Sequence, residues 1–339
     1  MAGEGVPDDG VREQGVLFER TPANTNLSLD VARRLPPRLR FGPSSWTYPG
    51  WKGLVYHRDY TGERDFRSRC LEELGRFPWF RIIGIDHTFY SPARASTLDR
   101  YAKQLPADFL WLSKVWERVT TPRFGPHPRY GALAGQDNPN FLDSQLFYEA
   151  VLPAYDRPLI RDRTGPFLLQ FQSLGRADAE WLGSFLTRLR SFLLALPKAF
   201  RYAVEVRTPE LIQPRYFEIL NEAGATHCFN HWDRMPPLID QMRVAAQAGG
   251  LEADFYVARL LTPRGMGYAE AVAQFSPFDK LVQEQASMRD DVVRLAMRAL
   301  KRDADAFVLV NNRIEGNSPT TIDAIGRMIV DGLEGSKAR

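Results

Sequence analysis

Eight short runs of apolar or β-branched residues recur along this chain, with amphipathic helical patterns between most of them, and no other feature constrains the fold as strongly. The runs are Leu39–Trp46, Phe80–Asp86, Phe109–Val115, Pro166–Phe171, Tyr202–Arg207, Thr226–Asn230, Asp254–Leu260 and Ala306–Asn311. The segments Thr97–Gln104, Asp178–Leu196, Tyr216–Ala223 and Asp290–Arg302 carry the helical period. Asp178 followed by Glu180 is a helix start, an N-cap acid with a second acid in the first turn. Runs that are apolar throughout suit a parallel sheet covered on both faces. Eight such units in 339 residues predict a single-domain (β/α)8 TIM barrel rather than a doubly wound sheet. No glycine-rich turn follows the early strands, so no nucleotide cofactor is expected.

Residues 1–38, rich in Gly, Pro, Asn, Asp and Arg and ending in Leu35-Pro36-Pro37, read as a flexible N-terminal tail, with the barrel spanning 39–333. About 50 residues separate the third and fourth runs, and the stretch at about 122–140 is dense in Pro, Gly, Asn and His. A connection of that length is expected to be a binding loop or lid, followed by a helix-like Phe141–Ala154.

Two cysteines, Cys70 and Cys228, far apart and in no CxxC pattern, exclude a disulfide scaffold, zinc finger or iron–sulfur cluster and point to a reducing cytoplasm. No apolar stretch approaches 18 residues, and the acidic MAGEGVPDDG start lacks the pattern of a signal peptide, so neither membrane nor secretion is expected. A net charge of +3 is too small to argue for nucleic acid by itself. Oligomeric state is left open.

Most of the eight runs end in a polar group where the C-terminal mouth of a barrel begins. These are Ser44 and Ser45; Asp86 and His87; Lys114; Gln170 and Gln172; Glu205 and Arg207; Asn230 and His231; Arg259; and Asn311 with Asn312. In barrel enzymes these positions build the active site. Glu205 and Arg207 are two apart and share one strand face, where they either hold each other or clamp a substrate. An arginine neighbour favours the ionised carboxylate, which suits Glu205 to the role of base or ligand. Lys114, Arg207 and Arg259 form either an anion site for phosphate or carboxylate or one half of a structural ion-pair network. Asp86, His87, Glu205, His231 and Asp233 are of metal-ligating types, but no HxH or HExxH spacing is present and the cationic neighbours oppose a dication. No metal is assigned. Trp46, Tyr48 and Trp51 either stack on a sugar or base or cap the barrel mouth.

These motifs, in order, resemble the YecE-like family (domain of unknown function 72). Its opening block is matched by Gly42-Pro-Ser-Ser-Trp46-Thr-Tyr48-Pro49-Gly50-Trp51, with one extra residue near the start. Asp86-His87-Thr88-Phe89-Tyr90, Lys114, Gly165-Pro166-Phe-Leu-Leu-Gln170, Val204-Glu205-Val206-Arg207, Tyr256-Val-Ala-Arg259, Asn311-Asn312 and Glu315-Gly316 match the later blocks. The chain departs from the family at Gly84, where a glutamate is common, and at Thr121, Thr208 and Leu261, where histidines are expected. It reads as a divergent member. The resemblance implies a TIM barrel but no established reaction.

Two functional readings follow. In the first, a hydrolase (phosphodiesterase- or nuclease-like) or a sugar-phosphate isomerase acts on an anionic, phosphate-bearing sugar or nucleic acid. Glu205, Lys114 and Asp86 are then catalytic, and Arg207, Arg259, Asn311, Asn312, Trp46, Tyr48, Trp51, Tyr90 and Gln170 bind substrate. In the second, a non-catalytic barrel uses the same groups to bind a small anion or a nucleic acid.

Overall fold

The computed structural model describes residues 27–173 and 178–337. Eight strands, β1 (Leu39–Pro43), β2 (Ile82–Ile85), β3 (Leu110–Lys114), β4 (Thr164–Gln170), β5 (Tyr202–Glu205), β6 (Thr226–Asp233), β7 (Phe255–Arg264) and β8 (Asp305–Val310), pair in parallel in the order β1-β8-β7-β6-β5-β4-β3-β2. Every predicted run overlaps one of them, and β4, β6, β7 and β8 extend beyond the predicted bounds. The seam between β1 and β2 is joined by the Arg81 N–H, which donates to the Phe41 carbonyl at 2.8 Å. Two glycines permit that approach. A Cβ on Gly42 would lie 1.6 Å from the Ile82 carbonyl oxygen, and one on Gly84 would lie 2.7 Å from that of Ser44. Strand spacing therefore excludes a side chain at the second of these positions, where the resemblance leads one to expect a glutamate.

Strand alternation sorts the side chains into two cores. Facing inward, Ile82, Leu112, Leu168, Ala203, Cys228, Val257 and Leu309 fill the barrel. Facing outward, Phe41, Trp111, Phe167, Val204 and Val308 join the larger cluster beneath the helices. Carrying the inward set one step toward the C-terminal ends puts Ser44, Lys114, Gln170, Glu205, Asn230 and Arg259 above the apolar filling, all buried. The polar mouth is thus the top layer of the barrel interior.

The helix Ala179–Ala195 starts as expected, with the Asp178 carboxylate accepting the Trp181 N–H at 2.8 Å. The segment expected as one helix over Phe141–Ala154 is broken into Ser144–Leu146, a π-turn Phe147–Val151 and a 3-10 turn Leu152–Ala154. Pro153 has no N–H with which to continue an α-ladder. Residues 122–140 fold down rather than extend. Asn138 Nδ2 donates to the Arg118 and Thr121 carbonyls, each at 2.7 Å, and Glu117 receives Arg129 at 2.9 Å and the Tyr130 hydroxyl at 2.7 Å.

Of the segment expected to be a flexible tail, residues 1–26 lie outside the described residues. The remainder is docked. Leu29–Ala32 forms a helical turn, Ala32 and Leu35 are buried, and Arg81 donates to the carbonyls of Ala32, Leu35 and Pro36 at 3.1 Å. The Ser28 N–H reaches Asp323 at 2.6 Å. Among the described residues, no helix is long and apolar enough to cross a membrane.

Candidate functional site

The strand ends bring Asp86, Lys114, Gln170, Glu205, Arg207 and Arg259 into one network. Arg259 Nη1 donates to Glu205 Oε2 at 2.6 Å and to Gln170 Oε1 at 3.1 Å. Arg207 Nε donates to Glu205 Oε1 at 3.0 Å, and its Nη2 shares the Gln170 oxygen at 3.1 Å. Lys114 Nζ lies 2.9 Å from Asp86 Oδ1, and Arg259 Nη2 approaches the same oxygen at 3.6 Å. The register explains the meeting, because Gln170 pairs with Glu205 across β4 and β5 and Asn230 with Arg259 across β6 and β7.

Glu205 is the centre of this network. Its side chain is 0% exposed and each oxygen accepts from an arginine. Burial alone would raise its carboxyl, but Arg259 and Arg207, then Lys114, outweigh that effect and hold it at about 2. A carboxylate so acidic and fully engaged is a poor base. In this structure it fixes two guanidinium groups, those of Arg207 and Arg259. Gln170 does the same from the other side, offering one amide oxygen to both arginines.

Asp86 differs. It opens the 3-10 turn Asp86–Phe89 just past β2, and its side chain keeps 19% exposure. Burial pushes its carboxyl up, but Lys114 and Arg259, with Arg313 further out, pull it below the ordinary carboxylate range. Lys114 lies 5.6 Å from the Phe89 ring centre. The layer therefore sets three cations, Lys114, Arg207 and Arg259, against two carboxylates, with Arg313 adding its field at Asp86. Arg259 Nε, Asn230 Oδ1 and Ser44 Oγ are buried in this layer with no hydrogen-bond partner among the described residues.

The remaining expected groups divide. Tyr90 stays at the mouth, half-buried, with Arg129 lying 5.0 Å from its ring centre. Tyr48 is half-buried against Trp51 and Phe278. Trp51 is 0% exposed and packed on Tyr56 and Phe80, so it cannot stack on a ligand; it is core. Trp46 is buried edge-on against Tyr101. Asn311 and Asn312 are buried and each holds local backbone: Asn311 Oδ1 accepts the Arg313 N–H at 3.0 Å, and Asn312 Oδ1 accepts the Ser318 N–H at 2.8 Å. They shape the loop after β8 and the start of the helix Ser318–Lys337.

Among the described residues no three His, Cys, Asp or Glu groups converge as a metal site would require. Both candidate carboxylates, Asp86 and Glu205, are engaged by cations, and His87 is exposed, with Nε2 3.1 Å from the Tyr101 hydroxyl. His231 is buried with both ring nitrogens unpartnered, and burial, aided by Arg264, depresses it to about 4. His227 is packed between Tyr216 and Gln241, and burial takes it to about 4 as well.

Sequence reading missed a rim of arginines laid on aromatic rings: Arg129 on Tyr90, Arg207 on Trp232 at 5.0 Å, and Arg313 on Tyr268 at 4.3 Å. The available signal was an aromatic or arginine just past each strand end. The pairing is non-local and could not be read from spacing. A depression of about 670 Å³ bounded by Leu186, Arg190, Ile219 and Glu222 lies instead on the outer helix layer, away from this chemistry.

Residues 40–336 match the model of a protein family described as "Protein of unknown function DUF72". Among solved structures, a DUF72 family protein from Enterococcus faecalis V583 is 14% identical over 86% of this chain and 97% of its own, with a TM-score of 0.54. One from Thermotoga maritima MSB8 is 19% identical over 87% of this chain and 99% of its own, with a TM-score of 0.53. None of the curated proteins matches.

Proposed function

This chain belongs to the DUF72 family, and from that premise we propose that its barrel recognises an anionic, phosphate-bearing ligand at the C-terminal mouth. One observation carries the reading. Glu205 holds Arg207 and Arg259 in fixed orientation, while Lys114 adds a third cation beside them. Guanidinium groups fixed before the ligand arrives lose little entropy on binding, and they present forked donors suited to phosphate oxygens. A wholly structural network of this size would carry several kcal/mol of desolvation per buried ion. The test is calorimetric titration with inorganic phosphate and with a sugar phosphate at low salt. Binding that weakens at least 10-fold in Lys114→Met and Arg207→Ala supports the reading, whereas equal affinity in all three proteins defeats it.

A second reading makes the barrel a hydrolase or isomerase, and the pairing of the partly exposed Asp86 with Lys114 is the observation that favours it. There Lys114 meets the phosphoryl or leaving oxygen, and Asp86 accepts a proton from water or a sugar carbon. A phosphatase, phosphodiesterase and isomerase screen with Asp86→Asn as control separates the two. Turnover abolished by Asp86→Asn establishes chemistry, and turnover unchanged by it removes Asp86 from the mechanism. The two free, buried cysteines favour a cytoplasmic setting in either case.

A further inference from the structure

We propose that the ligand is a nucleoside phosphate, a phosphate ester that also carries a planar heteroaromatic base; this rests on the anion reading above. The rim of the mouth supplies the argument. Arg129, Arg207 and Arg313 approach Tyr90, Trp232 and Tyr268 at 5.0, 5.0 and 4.3 Å from Arg Cζ to ring centre. All three rings are half-buried. Tyr90 follows the turn after β2, Trp232 lies at the C-terminal end of β6, and Tyr268 opens the helix Tyr268–Phe275 after β7, so the pairs come from more than one part of the opening. Arg207 belongs at once to the inner network and to the rim, through Glu205 on one side and Trp232 on the other. Arg313 reaches the network electrostatically through Asp86 and is hydrogen-bonded to the Tyr268 hydroxyl at 3.3 Å.

A bare sugar phosphate needs donors and hydroxyl partners and meets an aromatic face only through its C–H groups, whereas a planar base covers such a face with a full π-stack. A nucleotide uses both. Arg207 commits Nε and Nη2 to Glu205 and Gln170, which leaves Nη1 as its donor for a phosphate oxygen, and the exposed part of each half-buried ring takes a base by stacking. One stacked base is expected to tighten binding about 10-fold, which corresponds to about 1.4 kcal/mol.

The experiment titrates the full chain calorimetrically with four probes: inorganic phosphate, ribose 5-phosphate, adenosine 5′-monophosphate and a short oligothymidylate. The expected result is at least about 10-fold tighter binding of a base-bearing probe than of ribose 5-phosphate. Tyr268→Leu and Trp232→Leu should each reduce that preference while leaving ribose 5-phosphate binding within about twofold. If the mononucleotide suffices, the source is free nucleotide; if only the oligonucleotide binds, the source is a single strand, and both results uphold the base-recognising rim. Ribose 5-phosphate binding as tightly as the nucleotide overturns this inference while the anion reading stands. Binding of none of the four overturns both. Equal loss of nucleotide and ribose 5-phosphate binding in the leucine variants assigns the rings to support of the fold and also overturns the proposal.

Discussion

Glu205→Gln separates a structural carboxylate from a catalytic one. The side chain is fully buried and accepts from Arg259 at 2.6 Å and Arg207 at 3.0 Å. Its pKa falls from an ordinary 4.5 to about 2, which at about 1.4 kcal/mol per pH unit gives roughly 3 kcal/mol of favourable interaction in the ionised form. The sign follows from the depressed value. That stability is present above about pH 4.5 and is lost as pH falls toward 2. Removing the charge by mutation also leaves Arg259, 2% exposed, with only the more distant Asp86 at 3.6 Å, and breaking a buried pair in this way costs about 3–5 kcal/mol. With an unfolding entropy of about 2.1 cal/mol/K per residue over 339 residues, the loss corresponds to a Tm drop of roughly 4–7 °C. Thermal and urea unfolding at pH 7 measure it. Glu205→Gln should fall in this range and lose the part of the acid-limb slope between about pH 4.5 and 2. A change below about 1 kcal/mol with ligand binding or turnover abolished would refute the argument and restore Glu205 as a working base.

His231→Phe removes a ring held neutral by burial, whose value falls from 6.5 to about 4. The native histidine's contribution is complete above pH 6.5 and lost as pH drops toward 4, so at pH 5 wild type should have lost about 2 kcal/mol that the variant keeps, read from unfolding midpoints at pH 7 and 5. Arg129→Ala removes an ion pair to Glu117 and a contact with Tyr90, so limited proteolysis should cut within residues 122–137 several-fold faster, with the barrel fragments remaining intact. Gly42→Ala places a methyl carbon 1.6 Å from a β2 carbonyl oxygen, so it should destabilise by roughly 1–3 kcal/mol or more, whereas Gly62→Ala, with nothing within 4 Å, gives the φ cost alone.

The strands were legible because parallel strands covered on both faces must be apolar throughout, and Ile82–Ile85 or Phe255–Leu260 leave no other economical reading. Period-two spacing also predicted that Glu205 and Arg207 share a face, and β7 delivered Arg259 to them. The same spacing could not say whether Glu205 would be free or consumed, because that depends on Gln170 and Arg259 arriving from other strands. Trp46, Tyr48 and Trp51 look alike in sequence, yet Trp51 is sealed beneath Tyr56 and Phe80 while Tyr48 stays half-buried. Arg313 and Tyr268 lie 45 residues apart and meet only because the loops after β7 and β8 converge at the mouth.

The central claim is that the strand-end cations bind an anion, and the most direct measurement is phosphate-ester titration of Arg207→Ala beside Arg190→Ala. Arg190 pairs with Glu222 on the outer helix layer and serves as a charge-matched control. The account predicts at least 10-fold weaker binding for Arg207→Ala and binding within twofold of wild type for Arg190→Ala. Identical affinities in the two variants would contradict it.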